Sequence, residues 1–408
     1  MKTATQRRDV RTGTSVWQSR RLPSIPCRAL SRDATADVLV IGMGVSGAMT
    51  ADALSEAGLR VAMVDRRGAV QGSTPASTAL LLYEIDMPLV KLSARIGVDR
   101  AQRVWARSRL ALDALRARAG YLGIDADIED RDSLYLEGDQ LDTDGLREEA
   151  DARRRMGLAT MFLDRRAVKE RYGIERRAAI LSFHGMSADP RRLTAGFLTA
   201  ALHRGARLYA PVEVTSVEPD RSGVSALTSN GRVIRSKAVV FAAGYDLPKG
   251  VPEKGHTISS TWVLATRPQP GRLWRDQCLI WEASDPYLYL RVGPAGRIIC
   301  GGEDEPFADE GTRDAMMDEK IAAIEAKLGR LMPRVDPRAQ YAWTGSFGGS
   351  RTGTPSIGPV PHMPNCYAVL GYGGNGITFS MMAAQMLRGM ITGVGDTDAD
   401  LFSFNRSF

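Results

Sequence analysis

The first 33 residues are polar and arginine-rich, with no periodicity, and the apolar pattern then turns abruptly strong. Val38-Leu39-Val40-Ile41 is a short continuous apolar run, the signature of a strand buried on both faces. It leads straight into Gly42-Met43-Gly44-Val45-Ser46-Gly47. Ala48, Ala51 and Leu54 then recur at helical spacing until Gly58, a natural stop. A second apolar run, residues 61–64, ends at Asp65. These features predict a complete β–α–β unit.

Beyond a loop at residues 72–78, helices are predicted within 91–119, and short strands with an arginine-rich helix within 131–185. Asp189-Pro190 opens a helix over 191–203, ended by Gly205. Strands follow near 207–217, 223–229 and 232–241, separated by turns such as Asn230-Gly231. Residues 257–300 are strand-rich and include Tyr287-Leu288-Tyr289-Leu290-Arg291. Alternation places Tyr287, Tyr289 and Arg291 on one face of that strand. An amphipathic helix over 316–331 precedes a closing strand at 367–370, a glycine loop and a helix over 377–391.

Composition narrows the class. A chain of 408 residues, 44% hydrophobic, is long enough for two or three domains with a sizeable core. No apolar run reaches the roughly 18 residues of a membrane span. The cysteines at 27, 278, 300 and 366 are far apart, which argues against a disulfide framework or zinc site and for a reducing, cytoplasmic setting. Four scattered histidines give no metal centre. The net charge of +7 rests on 46 arginines against 8 lysines. The densest stretch, 147–177, interleaves them with acids, the pattern of a solvated helical surface and not of a nucleic-acid face. Neither Arg7-Arg8 nor Arg20-Arg21 precedes an apolar segment, so residues 1–33 are expected to be a retained extension packing through Trp17 and Leu22.

The glycine fingerprint has a physical task. Gly42 permits the tight turn, Gly44 lets backbone approach a pyrophosphate, and Gly47 lets helix pack on strand. The helix N-terminus beginning at Val45 and Ser46 offers unpaired N–H groups to phosphate. Asp65, 23 residues after Gly42, stands where an acid meets the ribose hydroxyls of a dinucleotide. A second glycine-rich element, Gly371-Tyr372-Gly373-Gly374-Asn375-Gly376, joins a strand to the last long helix. Glycine loops at both ends of the chain suit one extended cofactor, and FAD fits this better than NAD.

Taken in order, these motifs resemble the D-amino-acid oxidase, glycine oxidase and sarcosine oxidase family of FAD-dependent oxidoreductases over residues 36–392. The features that carry the likeness are the 42–47 fingerprint with Asp65-Arg66 and the loop from Gly72 through Ser73, Ser77, Thr78 and Ala79. Asp189-Pro190, the 239–244 strand-turn ending in Ala243-Gly244, and Tyr287–Arg291 follow. Trp343-Thr344-Gly345, Pro355-Ser356-Ile357-Gly358 and Gly373–Gly376 complete the set. The resemblance implies an α/β architecture, a Rossmann-like FAD-binding domain interleaved with an α+β substrate domain on a large mixed sheet. FAD-domain segments are expected at 34–90, 186–253 and 340–392, substrate-domain segments at 91–185 and 254–339, and a tail at 393–408.

It further implies that Ser73, Ser77, Thr78, Ala79 and Gly345 lie along the FAD, and that Gly373–Gly376 with Ile377 and Thr378 face the flavin's pyrimidine end. There a helix N-terminus would stabilise charge on the reduced ring. A substrate amine would be oxidised by hydride transfer to flavin N5, with oxygen or another carrier reoxidising the flavin. Tyr287 matches a pocket-lining residue of glycine-oxidase-like members. Tyr289, Arg291, Tyr83, Glu84 and Arg351 are further candidates around the substrate. Family arginines that hold a substrate carboxylate fall at Phe347 and Gly374 here, and the sarcosine-oxidase lysine and arginines at Thr378, Ala79 and Leu82. The tethering cysteine has no counterpart near 347–349, so FAD is expected to be non-covalent.

An NAD(P)-linked flavoprotein reductase would need a second dinucleotide fingerprint and often a redox cysteine pair, and the sequence has neither. A dehydrogenase of a non-amine substrate, a flavin-dependent RNA-modifying enzyme and a flavin-binding protein without turnover remain alternatives.

Overall fold

A computed structural model describes residues 8–246, 249–252 and 255–406. The first apolar run becomes the strand Ala34–Ile41, the fingerprint opens the helix Val45–Glu56, and the second run is the strand Val61–Val64. Ala34–Ile41 pairs in parallel with Val61–Val64 on one side and with Val233–Phe241 on the other, Val38 standing opposite both Val61 and Ala238. Arg207–Tyr209 and Cys366–Leu370 extend the parallel array outward. The chain therefore leaves its central strand in both directions, and a crevice opens at the carboxyl ends of the two middle strands, where open parallel sheets bind ligands. Antiparallel additions bring this sheet to eight strands among the described residues.

Helices Val45–Glu56, Pro190–His203 and Gly376–Ile391 cover one face. Their apolar stripes meet in a core that includes Leu54, Phe197, Phe379 and Met382. Leu89–Ile96 and Val98–Tyr121 join the same core through Leu92, Trp105 and Leu112. The domain boundary expected at residue 91 thus runs through side chains that share one core.

The second sheet has nine strands among the described residues and is mixed. Leu279–Glu282 pairs in parallel with Glu129–Leu136, and the other pairs are antiparallel. Ile324 and Leu328 of the helix Met317–Leu331 pack against Trp262, Leu264 and Ile298 on its outer face. Ala339–Ser350 is the edge strand here, in register with His256–Thr266 from Ser350 opposite His256 to Ala339 opposite Thr266. The return to the parallel sheet expected at residue 340 therefore comes only after this strand. Tyr287–Arg291 was expected to be one strand, but ladder pairing begins at Tyr289, and Tyr287 lies in the loop before it.

The N-terminal segment is laid along that edge. Thr344 and Ser346 donate backbone N–H bonds to the carbonyls of Thr12 (2.9 Å) and Val10 (3.0 Å). Trp17 is buried and its indole donates to Ser77 O at 2.8 Å, while Leu22 packs on the main core. No described helix is long and apolar enough to cross a membrane. The four cysteines are free, and no cluster of metal-ligating side chains occurs among the described residues.

Candidate active site

One cleft of about 1810 Å³, its open mouth included, runs from the carboxyl ends of the parallel strands to the inner face of the mixed sheet. Its first part is the glycine turn. Gly42 sits at φ +115°, and a Cβ there would lie 2.3 Å from Ala242 O. A Cβ at Gly47 would lie 2.0 Å from Gly42 O, so Gly47 sets helix-on-turn packing and does not itself line the cleft. Gly44, Val45 and Ser46 do line it, at the start of a helix with no acid in its first turn. Thr74 Oγ1 accepts from Val45 N at 3.1 Å and ties the following loop to this turn.

Asp65 also borders the cleft and organises its own turn. Its carboxylate accepts from Met43 N (2.8 Å), Arg67 N (2.7 Å) and Gly68 N (3.0 Å). Arg66 and Arg67 both pair with Asp246, at 3.0 and 2.8 Å, and both donate to the carbonyl of Arg8. That contact brings Val10 into the lining, so the N-terminal strap closes this end of the cleft.

The middle is walled by Ser73, Ser77, Thr78, Ala79, Ala243, Gly244 and Gly345. Gly373, Gly374, Asn375, Gly376 and Ile377 form the far wall at the head of the last long helix. Thr378 is turned out of the lining and donates to Leu82 O at 2.8 Å, which fastens that helix to the segment after the serine loop. Together the walls form a glycine cradle, a helix N-terminus and an acid at a strand end. This donor set fits an extended dinucleotide.

The inner end is aromatic and acidic. Tyr287 and Tyr289 face the cleft with ring centroids 5.3 Å apart, and Tyr289 Oη is 3.3 Å from Thr261 Oγ1. Tyr245, Trp281, Phe347 and Tyr372 add further aromatic wall. Leu80, Leu82, Glu84 and Asp86 point into the cleft, two residues apart as in an extended chain. Asp86 is open to the cavity although dense protein surrounds it, and that burial raises its pKa while the N–H of Gly374, 2.8 Å away, opposes the rise. Glu84 is likewise raised by burial against the pull of Arg153. Asp304, behind the tyrosines, is raised by burial to about 7.

Three substrate candidates from the sequence lie elsewhere. Tyr83 falls on the opposite side of that alternation and packs edge-on against Trp105 in the core. Arg291 is buried and donates to the carbonyls of Ala79 (2.7 Å) and Ala188 (3.0 Å). It shares its strand face with Tyr289, but its guanidinium is spent on the back of the serine loop, and burial lowers its pKa to about 10. Arg351 is an exposed loop residue outside the lining. Asp86, Asp246 and Tyr245 were not singled out from the sequence. Extending the alternation from Glu84 by two residues reaches Asp86, but nothing local marks the other two.

A family model described as FAD dependent oxidoreductase (DAO) matches residues 37–390. A gamma-glutamylputrescine oxidoreductase of Escherichia coli (strain K12) is 24% identical over 387 residues, 92% of this chain and 87% of that protein. A tRNA 5-methylaminomethyl-2-thiouridine biosynthesis bifunctional protein of Ralstonia nicotianae is 24% identical over 413 residues, 92% of this chain but 60% of that protein. Among solved structures, glycine oxidase from Geobacillus kaustophilus superposes with a TM-score of 0.74 at 21% identity, covering 92% of this chain and 100% of that one. L-proline dehydrogenase from P. horikoshii gives 0.76 at 18% identity, covering 92% and 98%. At these identities the structural likeness is one of fold.

Proposed function

The chain belongs to the FAD-dependent oxidoreductase (DAO) family, and on that premise we propose that it oxidises the C–N bond of an amine or amino-acid-like substrate. FAD, held without a covalent link, would supply the two-electron acceptor that C–N oxidation needs. The protein's own part is binding and orientation. Gly42, Gly44 and the helix N-terminus at Ser46 would receive the pyrophosphate, with the Val45 N–H held by Thr74, and Asp65 would meet the ribose. Gly376 and Ile377, at the positive end of the last long helix, would present N–H groups toward the ring, while the N–H of Gly374 is taken by Asp86. Tyr287, Tyr289 and Phe347 shape the space beside it and exclude water from the reacting carbon.

The observation that carries this reading is the continuity of the cleft, which joins both glycine loops to the tyrosine pair. The absence of a family-type carboxylate-binding arginine extends it, since Phe347 and Gly374 line the cleft where those arginines fall. Glycine and simple D-amino acids are therefore expected to be poor substrates, and secondary or larger amines better ones. An RNA substrate is disfavoured by charge pairing. Within the arginine-rich stretch, Arg166 pairs with Glu170 and Arg176 with Glu282.

The test is anaerobic addition of an amine panel to the purified protein, followed by the visible flavin spectrum. Bleaching by secondary or larger amines is expected. An intact spectrum with every amine, or bleaching mainly by small D-amino acids, contradicts the reading. Acid precipitation should leave FAD in the supernatant, and flavin retained on the polypeptide would overturn the non-covalent assignment.

A further inference from the structure

The inner end of the cleft carries more negative charge than its neighbours balance. Glu84 Oε1 is 3.4 Å from Arg153, but Arg153 also serves Glu149 at 2.8 Å. Glu149 is itself committed to the backbone N–H groups of Leu89 and Val90. Glu84 borders the cleft, and its second oxygen is buried without a hydrogen bond of ordinary geometry, although the hydroxyls of Ser133 and Ser182 stand beside the carboxyl. Asp86 has one backbone donor, Gly374 N. Asp304 stands beside Thr261, yet neither of its buried carboxyl oxygens has a hydrogen bond of ordinary geometry. The only cations in the lining among the described residues, Arg66 and Arg67, are held by Asp246 at the other end.

Asp86 is open to the cavity, while Glu84 and Asp304 are enclosed, and burial raises both pKa values so that each is either neutralised by a proton or met by a cation. A metal ion is a poor fit, because no set of three or more metal-ligating side chains gathers among the described residues. The rings beside the acids point to an organic cation, whose charge is attracted to aromatic faces and whose carbons replace water against them.

We propose that this inner end is a subsite for an alkylammonium group, with Asp86 as its direct ligand, the faces of Tyr287 and Tyr289 as its walls, and Glu84 and Asp304 as the surrounding charge. It rests on the amine-oxidising reading and narrows it. The substrate class is a di- or polyamine-like cation that carries a positive group beyond the oxidised C–N bond, and a substrate carboxylate is repelled there.

The experiment uses the FAD-loaded protein as purified, with benzyltrimethylammonium as an unreactive cation and benzoate as its anionic counterpart. Binding is read from perturbation of the visible flavin spectrum. The wild type should bind the cation and ignore benzoate. Asp86→Asn keeps the side-chain shape and removes the charge, and should weaken cation binding by about ten- to a hundredfold. Asp304→Asn, which leaves the contact with the glycine loop untouched, should weaken it severalfold and guards against a folding defect in the first variant. Equal cation affinity in wild type and both variants, or tighter binding of benzoate than of the cation by the wild type, overturns the subsite. A protein purified without flavin contradicts the underlying oxidase reading instead.

Discussion

Asp65 accepts three backbone N–H bonds while bordering the cleft, so the proposed ribose contact would share its carboxylate with the turn. Losing a charge-assisted hydrogen bond costs about 1.5–3 kcal/mol. Asp65→Ala should therefore weaken FAD binding by roughly one to two decades when apoprotein is titrated with FAD. Unchanged affinity would mean that the acid holds only its own turn. Asp304 gives a prediction of opposite character. Burial raises its pKa from 3.8 to about 7, and Asp86, Asp285 and Glu303 push the same way. Between those values the folded chain retains a proton that the unfolded chain has released, so stability falls as pH rises through that window. Asp304→Asn should raise the melting temperature at pH 8, by on the order of a few kcal/mol in stability, and change it little at pH 4. An equal effect at both pH values would contradict this. At this scale the sequence was legible where geometry is local, as with the turn at Gly42. It was misleading where a side chain's direction depends on the partner strand. Tyr83 and Asp86 are three residues apart and face opposite ways, and Arg291 is claimed by carbonyls more than a hundred positions distant.

Two elements hold the ends of the cofactor cleft. The first is the turn between Ala34–Ile41 and Val45–Glu56, where the missing Cβ atoms are a steric requirement. Gly47→Ala must push the helix off the turn at a cost of about 1–3 kcal/mol. The variant should purify depleted of flavin, and full flavin content would show that the turn can give way. The second is the strap, whose backbone pairs with residues 344 and 346 and whose Arg8 carbonyl receives Arg66 and Arg67. Removing residues 1–14 deletes these bonds and uncovers the end lined by Val10. FAD release, followed by recovery of free flavin fluorescence, should then quicken by about tenfold, the equivalent of roughly one lost net hydrogen bond. An unchanged rate would reduce the strap to packing. Long periodic helices such as Pro190–His203 and Met317–Leu331 were readable to within a residue or so. The strap's packing through Trp17 and Leu22 was expected, but its edge pairing was not, because a segment that adds to a sheet edge through its backbone needs no apolar alternation of its own.

Across the whole molecule, two sheets meet at one cleft, and the chain passes repeatedly between them. The β–α–β unit and the closing glycine loop made the cofactor half legible, since each motif is contiguous in sequence. The substrate half is assembled from residues near 84, 245, 261, 287 and 304, which become neighbours only through the strand order of the mixed sheet. That order also shifted the expected boundaries, because the strand Ala339–Ser350 pairs with His256–Thr266 before the chain returns to the parallel sheet. The central claim is that an amine is oxidised at the junction of these halves. Its most direct measurement is an anaerobic single turnover with an amine deuterated at the carbon that loses hydride. The account predicts flavin bleaching slowed by a primary isotope effect, with one equivalent of carbonyl product per FAD. Bleaching without an isotope effect in a chemically limited turnover, or no carbonyl product, would contradict it.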